Sequence, residues 1–407
     1  MLIKFTLIIC LFCILKGEAD AEDFFIDPIN GSNENDGTYL RPWASLDYVF
    51  NSNKINSTDW SSYPAHSAQG KIEINPNAPI RAGDTLYLMP GYYGNLIISN
   101  YYNTDYITIK SFESHTAVFN AILVRSSEKW RFDDIAIRPN TDVDNSSIRF
   151  LFNAQSHNFR GDAAYIDILN SKISSVDVTQ HWSALDWVEN SKSGIAISAH
   201  SSTVMNNTLF NVYHAIKTSA QNTLIAHNYI SDFAGDGIRI SGAHNANVQS
   251  NVIKNCYLVN GNHPDGIQLW GENVEGELHD VLLENNLIIN YQENKNHPLR
   301  CSLQGIGMFD GHAVNLNIRN NKIFVDNYHG ISVYGGEYVN MIGNVVSLID
   351  QTIKNSNGYP IKPRISLGYS KRGVTPTNYK IEDNISYLYL IKDQRVKPDG
   401  NFLILTP

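Results

Sequence analysis

The sequence predicts an all-β chain wound as a parallel β-helix, on three observations. A small residue followed by Ile recurs at Gly194-Ile195, Ala215-Ile216, Gly237-Ile238, Gly266-Ile267, Gly305-Ile306 and Gly330-Ile331, at separations of 21, 22, 29, 39 and 25 residues. In the same phase, Asn precedes an apolar residue by two positions at Asn207/Leu209, Asn228/Ile230, Asn251/Ile253, Asn286/Ile288, Asn321/Ile323 and Asn344/Val346. Between these markers lie short alternating apolar runs with no helical period. Such a repeat in the low twenties suits a solenoid whose coils stack at the strand spacing of about 4.8 Å. The Asn marker fits a corner that turns through the left-handed conformation Asn tolerates, with amides stacked along a column. The intervals of 29 and 39 residues then hold inserted loops, where function tends to sit.

In chain order, residues 1–21 read as a secretory signal peptide: Lys4, an apolar run from Phe5 to Leu15, and Ala19-Asp20-Ala21 as a small-x-small cleavage site. Neither Cys10 nor Cys13 sits in a lipoprotein-like context, and no other run is long and apolar enough to span a bilayer, so a secreted or periplasmic product without a membrane partner is expected. After cleavage only Cys256 and Cys301 remain, and the sequence leaves their pairing open. Residues 22–80 form an N-terminal cap and loop, with Trp43, Leu46 and Phe50 on one face of a short helix that plugs the first coil. Residues 81–390 are the β-helix and 391–407 a C-terminal tail or cap. One elongated domain, and a monomer, is the simplest count. The net charge of −9 argues against a nucleic-acid partner.

The segments NGSNENDGT and PWASL (30–46), AGDTLYLMPGYY (82–93) and ITIKS (107–111), followed by Asn-rich coils, resemble the secreted right-handed parallel β-helix proteins of the pectate-lyase-like superfamily. The resemblance runs from about Phe24 to Ser386. It implies a right-handed, single-stranded solenoid but no one chemistry, because that superfamily holds polysaccharide lyases, uronate epimerases, glycoside hydrolases and non-catalytic binding proteins.

Strand alternation predicts what the repeat displays. With the Ile residues inside, one exposed column reads Ala196, Lys217, Arg239, Gln268, Gly307, Ser332, and a second reads Ser198, Ser219, Ser241, Trp270, Phe309, Tyr334. Stacked Lys217 and Arg239 repel unless an anionic partner neutralises them, and the three aromatics offer flat surface to sugar rings. A third line, Ser193, His214, Asp236, Asp265, Gln304, His329, enters the strands. In it His263-Pro264-Asp265 sets an imidazole two residues from a carboxylate, the pairing that proton abstraction uses. This tripeptide resembles, in altered order, the Asp-Pro-His-Asp/Glu cluster of alginate C5-epimerases, and Lys217/Arg239 resembles the lysine base and arginine of some β-helix lyases.

The expected function is β-elimination or C5-epimerisation of a uronate-containing, acidic polysaccharide. Either His263 or Lys217 is the base. Arg239 neutralises the sugar carboxylate, Asp265 orients His263, Gln268 and Asp236 bind the sugar, and Trp270, Phe309 and Tyr334 stack on it. Calcium held by Asp232, Asp236 and Asp265 is another source of positive charge, although no spacing amounts to a calcium motif and no cofactor is demanded. The alternatives are glycoside hydrolysis by Asp236 and Asp265, with Asp310 a third carboxylate on the same side, and a non-catalytic carbohydrate-binding or adhesive β-helix.

Overall fold

The computed structural model describes residues 21–271, 276–292, 296–350, 354 and 357–405; all of the expected leader but its last residue lies outside them. Three parallel sheets run the length of the chain. Around a typical coil, Thr203–Met205 lies in the first sheet, Thr208–Val212 in the third and Ile216–Thr218 in the second, and Leu224–Ala226 returns to the first one coil higher. Early strands Gly91–Ser99 and Ala117–Arg125 are long enough to cross both the third and second sheets.

The small-Ile marker is a packing rule at one corner. The Ile residues pair in register from Ile195 through Ile216, Ile238, Ile267, Ile306 and Ile331 to Ile365, all buried. The small residue before each also faces inward, so Asp265 and its equivalents point out. A Cβ on Gly237 would lie 2.6 Å from Ile253 Cγ2, and one on Gly266 2.6 Å from Ile288 Cγ2, distances no packed core tolerates.

The Asn marker forms a buried ladder. Asn207, Asn228, Asn251, Asn286, Asn321, Asn344 and Asn384 each pass an Nδ2–H to the Oδ1 of the next, ending on Asn401, at 2.9–3.0 Å. The second amide proton of each goes to a backbone carbonyl of the coil before, as Asn251 to Ile225 O at 3.0 Å. The left-handed turn falls one residue earlier than expected, at Asn206, His227, Ser250, Asn285, Asn320, Gly343, Asp383 and Gly400. The turn residue must bend, which leaves the ladder Asn free to bond. Asn251→Ala strips the acceptor from both Asn228 N–H groups. It is expected to cost about 1–3 kcal/mol in urea unfolding, and an unchanged midpoint would remove the ladder from the stability account.

The first sheet starts at Asp23–Ile26, which pairs with Thr85–Leu88, inside the stretch expected as cap and loop. Helix α1 (Leu46–Asn51) buries Leu46 and Val49, while Trp43 stacks on Phe24 at 5.5 Å just before it. The expected loop 51–79 contains an antiparallel hairpin, Ser57–Trp60 with Lys71–Ile74. At the far end the third sheet continues to Phe402–Leu403, into the expected tail. Among the described residues no helix is long and apolar enough to cross a membrane.

Candidate active site

Long connections leave the coils repeatedly at the same turn, from the third sheet into the second: 138–149, 175–192, 257–264, 290–303 and 348–363. Their described residues therefore lie along one edge of the second sheet, the sheet that carries the cationic and aromatic columns. The first contributes Arg149; the second carries helix α2 (Ala184–Asn190), closed by a Ser183–Asp186 capping box, and ends at Lys192. Cys256 and Cys301 form a disulfide, Cα atoms 5.5 Å apart, that ties the root of one connection to the next.

On the sheet itself the register sets Ala196, Lys217, Arg239, Gln268, Gly307 and Ser332 side by side on successive coils. Arg239 is clamped from two sides. Its Nε and one terminal nitrogen approach Asp236 Oδ2 at 2.8 and 2.7 Å, and its guanidinium lies 5.5 Å from the Trp270 ring centre. Asp236 is 2% exposed, and its Oδ1 accepts the Asp265 N–H at 3.1 Å. The Asp236 N–H in turn donates to His214 Nδ1 at 2.8 Å, so that nitrogen carries no proton and the other one does. Burial drives His214 down to about 4; Asp236 opposes this, and the charges of Arg239, Lys217 and Arg149 reinforce it.

Asp265 is fully buried. Gln268 Nε2 donates to its Oδ2 at 3.2 Å, and its Oδ1 has no partner. Burial, then the neighbouring Asp236, raise it well above the ordinary carboxylate range, while Arg239 and Gln268 pull the other way. A Cβ on Gly307 would sit 2.6 Å from this Oδ1 and 2.6 Å from the Phe309 ring, so glycine is what lets the carboxyl lie there. His263 is exposed and no hydrogen bond joins it to Asp265, so the expected His263–Asp265 dyad is not formed: the carboxyl turns toward Gln268 and Gly307. The expected calcium set is not assembled either. Asp232 accepts from Tyr257 on the third sheet, and among the described residues no three His, Cys, Asp or Glu groups gather as a metal site would require.

Two neighbouring clefts divide the site residues. One, of about 440 Å³, brings Arg149, Lys192, Lys217 and Arg239 together with Tyr213 and His214. The other, of about 330 Å³, is bounded by His263, Gln268, Trp270, Gln304, Phe309 and His329. Phe309 packs on Tyr334 at 5.6 Å and edge-on to His329 at 5.1 Å; His329 Nδ1 lies 2.8 Å from Ser332 Oγ. Burial and the charges of Arg364 and His263 lower His329 to about 4. Asp310, at the rim of the same cleft, pairs with Lys371 at 2.6 Å.

A family model described as a right handed beta helix region matches residues 96–362. The chain belongs to the right-handed β-helix family. Among solved structures of the fold, the Dettilon tailspike protein is 15% identical over 76% of this chain, with a TM-score of 0.53. This chain spans 56% of that tailspike. XylC in complex with xylose is 10% identical over 93% of this chain and 87% of its own, TM-score 0.50. The mannuronan C-5 epimerase A-module of Azotobacter vinelandii is 14% identical over 76% and 80%, TM-score 0.48. No curated protein matches the sequence. Identities this low speak for the β-helix alone, and the chemistry rests on the side chains described above.

Arg149, Lys192 and His214 had no place in the sequence-based site. Arg149 and Lys192 lie where the repeat is interrupted, so no phase could assign them a face. His214 was visible in the third line, but its bond to the Asp236 amide depends on a bend that alternation cannot describe.

Proposed function

We propose that the second-sheet face binds an acidic polysaccharide and removes the C5 proton of a uronate residue, as a lyase or as a C5-epimerase. The observation that supports this reading is the meeting of Arg149, Lys192, Lys217 and Arg239 in one cleft of a chain whose net charge is −9. Asp236 already balances Arg239, and a cleft that gathers the other cationic side chains beside that pair favours an anionic ligand. The adjoining aromatic cleft with Trp270 and Phe309 suits the faces of neighbouring sugars. Among proteins of this fold, XylC holds xylose.

In the proposed reaction a base takes the C5 proton and the electron pair moves into the carboxylate, which the cations stabilise. In elimination, the pair then forms the C4–C5 double bond as the C4–O bond breaks, and the leaving oxygen takes a proton. In epimerisation a proton returns to C5 from the opposite face. Lys217, inside the cationic cleft, and His263, at the rim of the aromatic one, are the two candidate bases. Arg239 directs two nitrogens to Asp236, so Arg149 and Lys192 carry a larger share of carboxylate recognition. Hydrolysis by Asp236 and Asp265 is disfavoured: both carboxyls are buried, and the oxygens of Asp236 are engaged by Arg239 and the Asp265 amide. These two act as positioning residues.

The test is to incubate the mature protein with uronate polysaccharides, with calcium and then with chelator, and to follow the ultraviolet absorbance of the C4–C5 double bond. A signal lost in Lys217→Ala but kept in His263→Ala assigns a lyase with Lys217 as base; the reverse assigns His263. Solvent deuterium at C5 without absorbance means epimerisation. Neither, across the panel, replaces this reading with a hydrolase or a binding protein.

A further inference from the structure

The groove does not end at the cationic cleft. A further cleft of about 440 Å³ lies between connections 138–149 and 175–192, and Ser146, Glu189 and Lys192 line both. Its chemistry is different. The charged groups lining it are Asp144, Glu189 and Lys192, two carboxylates against one ammonium, whereas the neighbouring cleft gathers Arg149, Lys192, Lys217 and Arg239 against Glu189 and the Asp236 carboxylate held on Arg239. Trp182 forms one wall. Its ring is fixed edge-on by buried Trp187 at 5.2 Å, and Trp187 rests on Tyr257 at 4.9 Å, so the indole is a braced surface. Asn145 gives its Nδ2 proton to Asn140 O at 2.7 Å, while its Oδ1 is buried without a partner. The cleft thus offers an aromatic face surrounded by acceptors that want donors, and it repels a carboxylate.

We propose that this cleft is a subsite for a neutral sugar, and that the substrate is a heteropolysaccharide in which the uronate seated against Lys217 is linked to an uncharged residue seated against Trp182. The inference rests on the acidic-polysaccharide reading above and narrows it. A homopolymeric uronan would put one carboxylate in the cationic cleft and the next beside Asp144 and Glu189. An alternating chain matches the change of sign. Its neutral ring packs on the indole, and its hydroxyl groups donate to Asn145 Oδ1 and the two carboxylates.

The test is calorimetric binding by the full mature chain of hexasaccharides of equal length: oligogalacturonate and oligomannuronate as homo-uronans, and unsulfated chondroitin and hyaluronan as alternating chains. The alternating class is expected to bind about tenfold tighter. Trp182→Ala should erase that preference without weakening the homo-uronans, and Glu189→Gln should narrow it by strengthening them. A wild-type preference for homo-uronans, or a Trp182→Ala loss equal for both classes, overturns the inference and leaves the acidic-polysaccharide reading standing. Failure of every uronate oligosaccharide to bind overturns both.

Discussion

Asp236→Ala is expected to destabilise the protein by about 3–5 kcal/mol, the usual result of removing one partner of a buried ion pair. Asp236 sits at 2% exposure, with Arg239 on Oδ2 and the Asp265 amide on Oδ1. Alanine leaves a guanidinium held only against Trp270 and a buried N–H without an acceptor. Asp236→Asn keeps an oxygen for that amide and loses the charge, so it should fall between alanine and wild type. Asp236→Ala combined with Arg239→Met removes the stranded charge and should recover part of the loss. Urea unfolding of the four proteins checks the order. If Asp236→Ala and the Asp236→Ala, Arg239→Met double variant are equally unstable, the ion pair is not the source.

The fold was legible because the repeat is a physical constraint stated many times over. Gly237, Gly266, Gly305 and Gly330 are small for the same reason: each Cβ would strike a third-sheet Ile or Val in the core and a backbone oxygen of the next coil. Phase then fixed the outward row from Lys217 to Ser332, which the register reproduces residue for residue. The site was legible only where it lies on that row. Arg149, Lys192 and Trp182 come from connections that break the period, and nothing in their spacing says that those connections leave at one turn. Asp265 shows the other limit. Sequence proximity suggested a bond to His263, but Gly266 turns inward and sends the carboxyl outward toward Gln268 and Gly307. Contacts across coils, such as the one between Asp265 and Asp236, decide its chemistry, and they join positions 29 residues apart.

Stability is expected to carry two opposed pH dependences within the same window, and variants should separate them. His214 titrates at 6.5 when unfolded and about 4 when folded, so between those values the unfolded chain binds more protons and acid favours unfolding. That difference corresponds to roughly 3 kcal/mol lost as pH falls across that range. His329, also lowered to about 4, acts with the same sign. Asp265 has the opposite sign. Its folded pKa is raised, so its contribution is complete below the unfolded value of 3.8 and is lost as pH rises toward the folded one. His214→Gln cannot titrate and keeps an oxygen for the Asp236 amide, so its acid loss between 6.5 and 4 should be shallower than wild type. Asp265→Asn keeps an acceptor for Gln268 and removes the opposing titration, so its acid loss should be steeper. Urea midpoints measured across this range read both slopes. Because the two groups meet at Asp236, one bonded to its amide proton and the other giving its own amide proton to Oδ1, the variants should deviate from additivity when combined. Identical slopes in wild type and His214→Gln would show that the imidazole is not the acid-sensitive group beneath the cationic cleft.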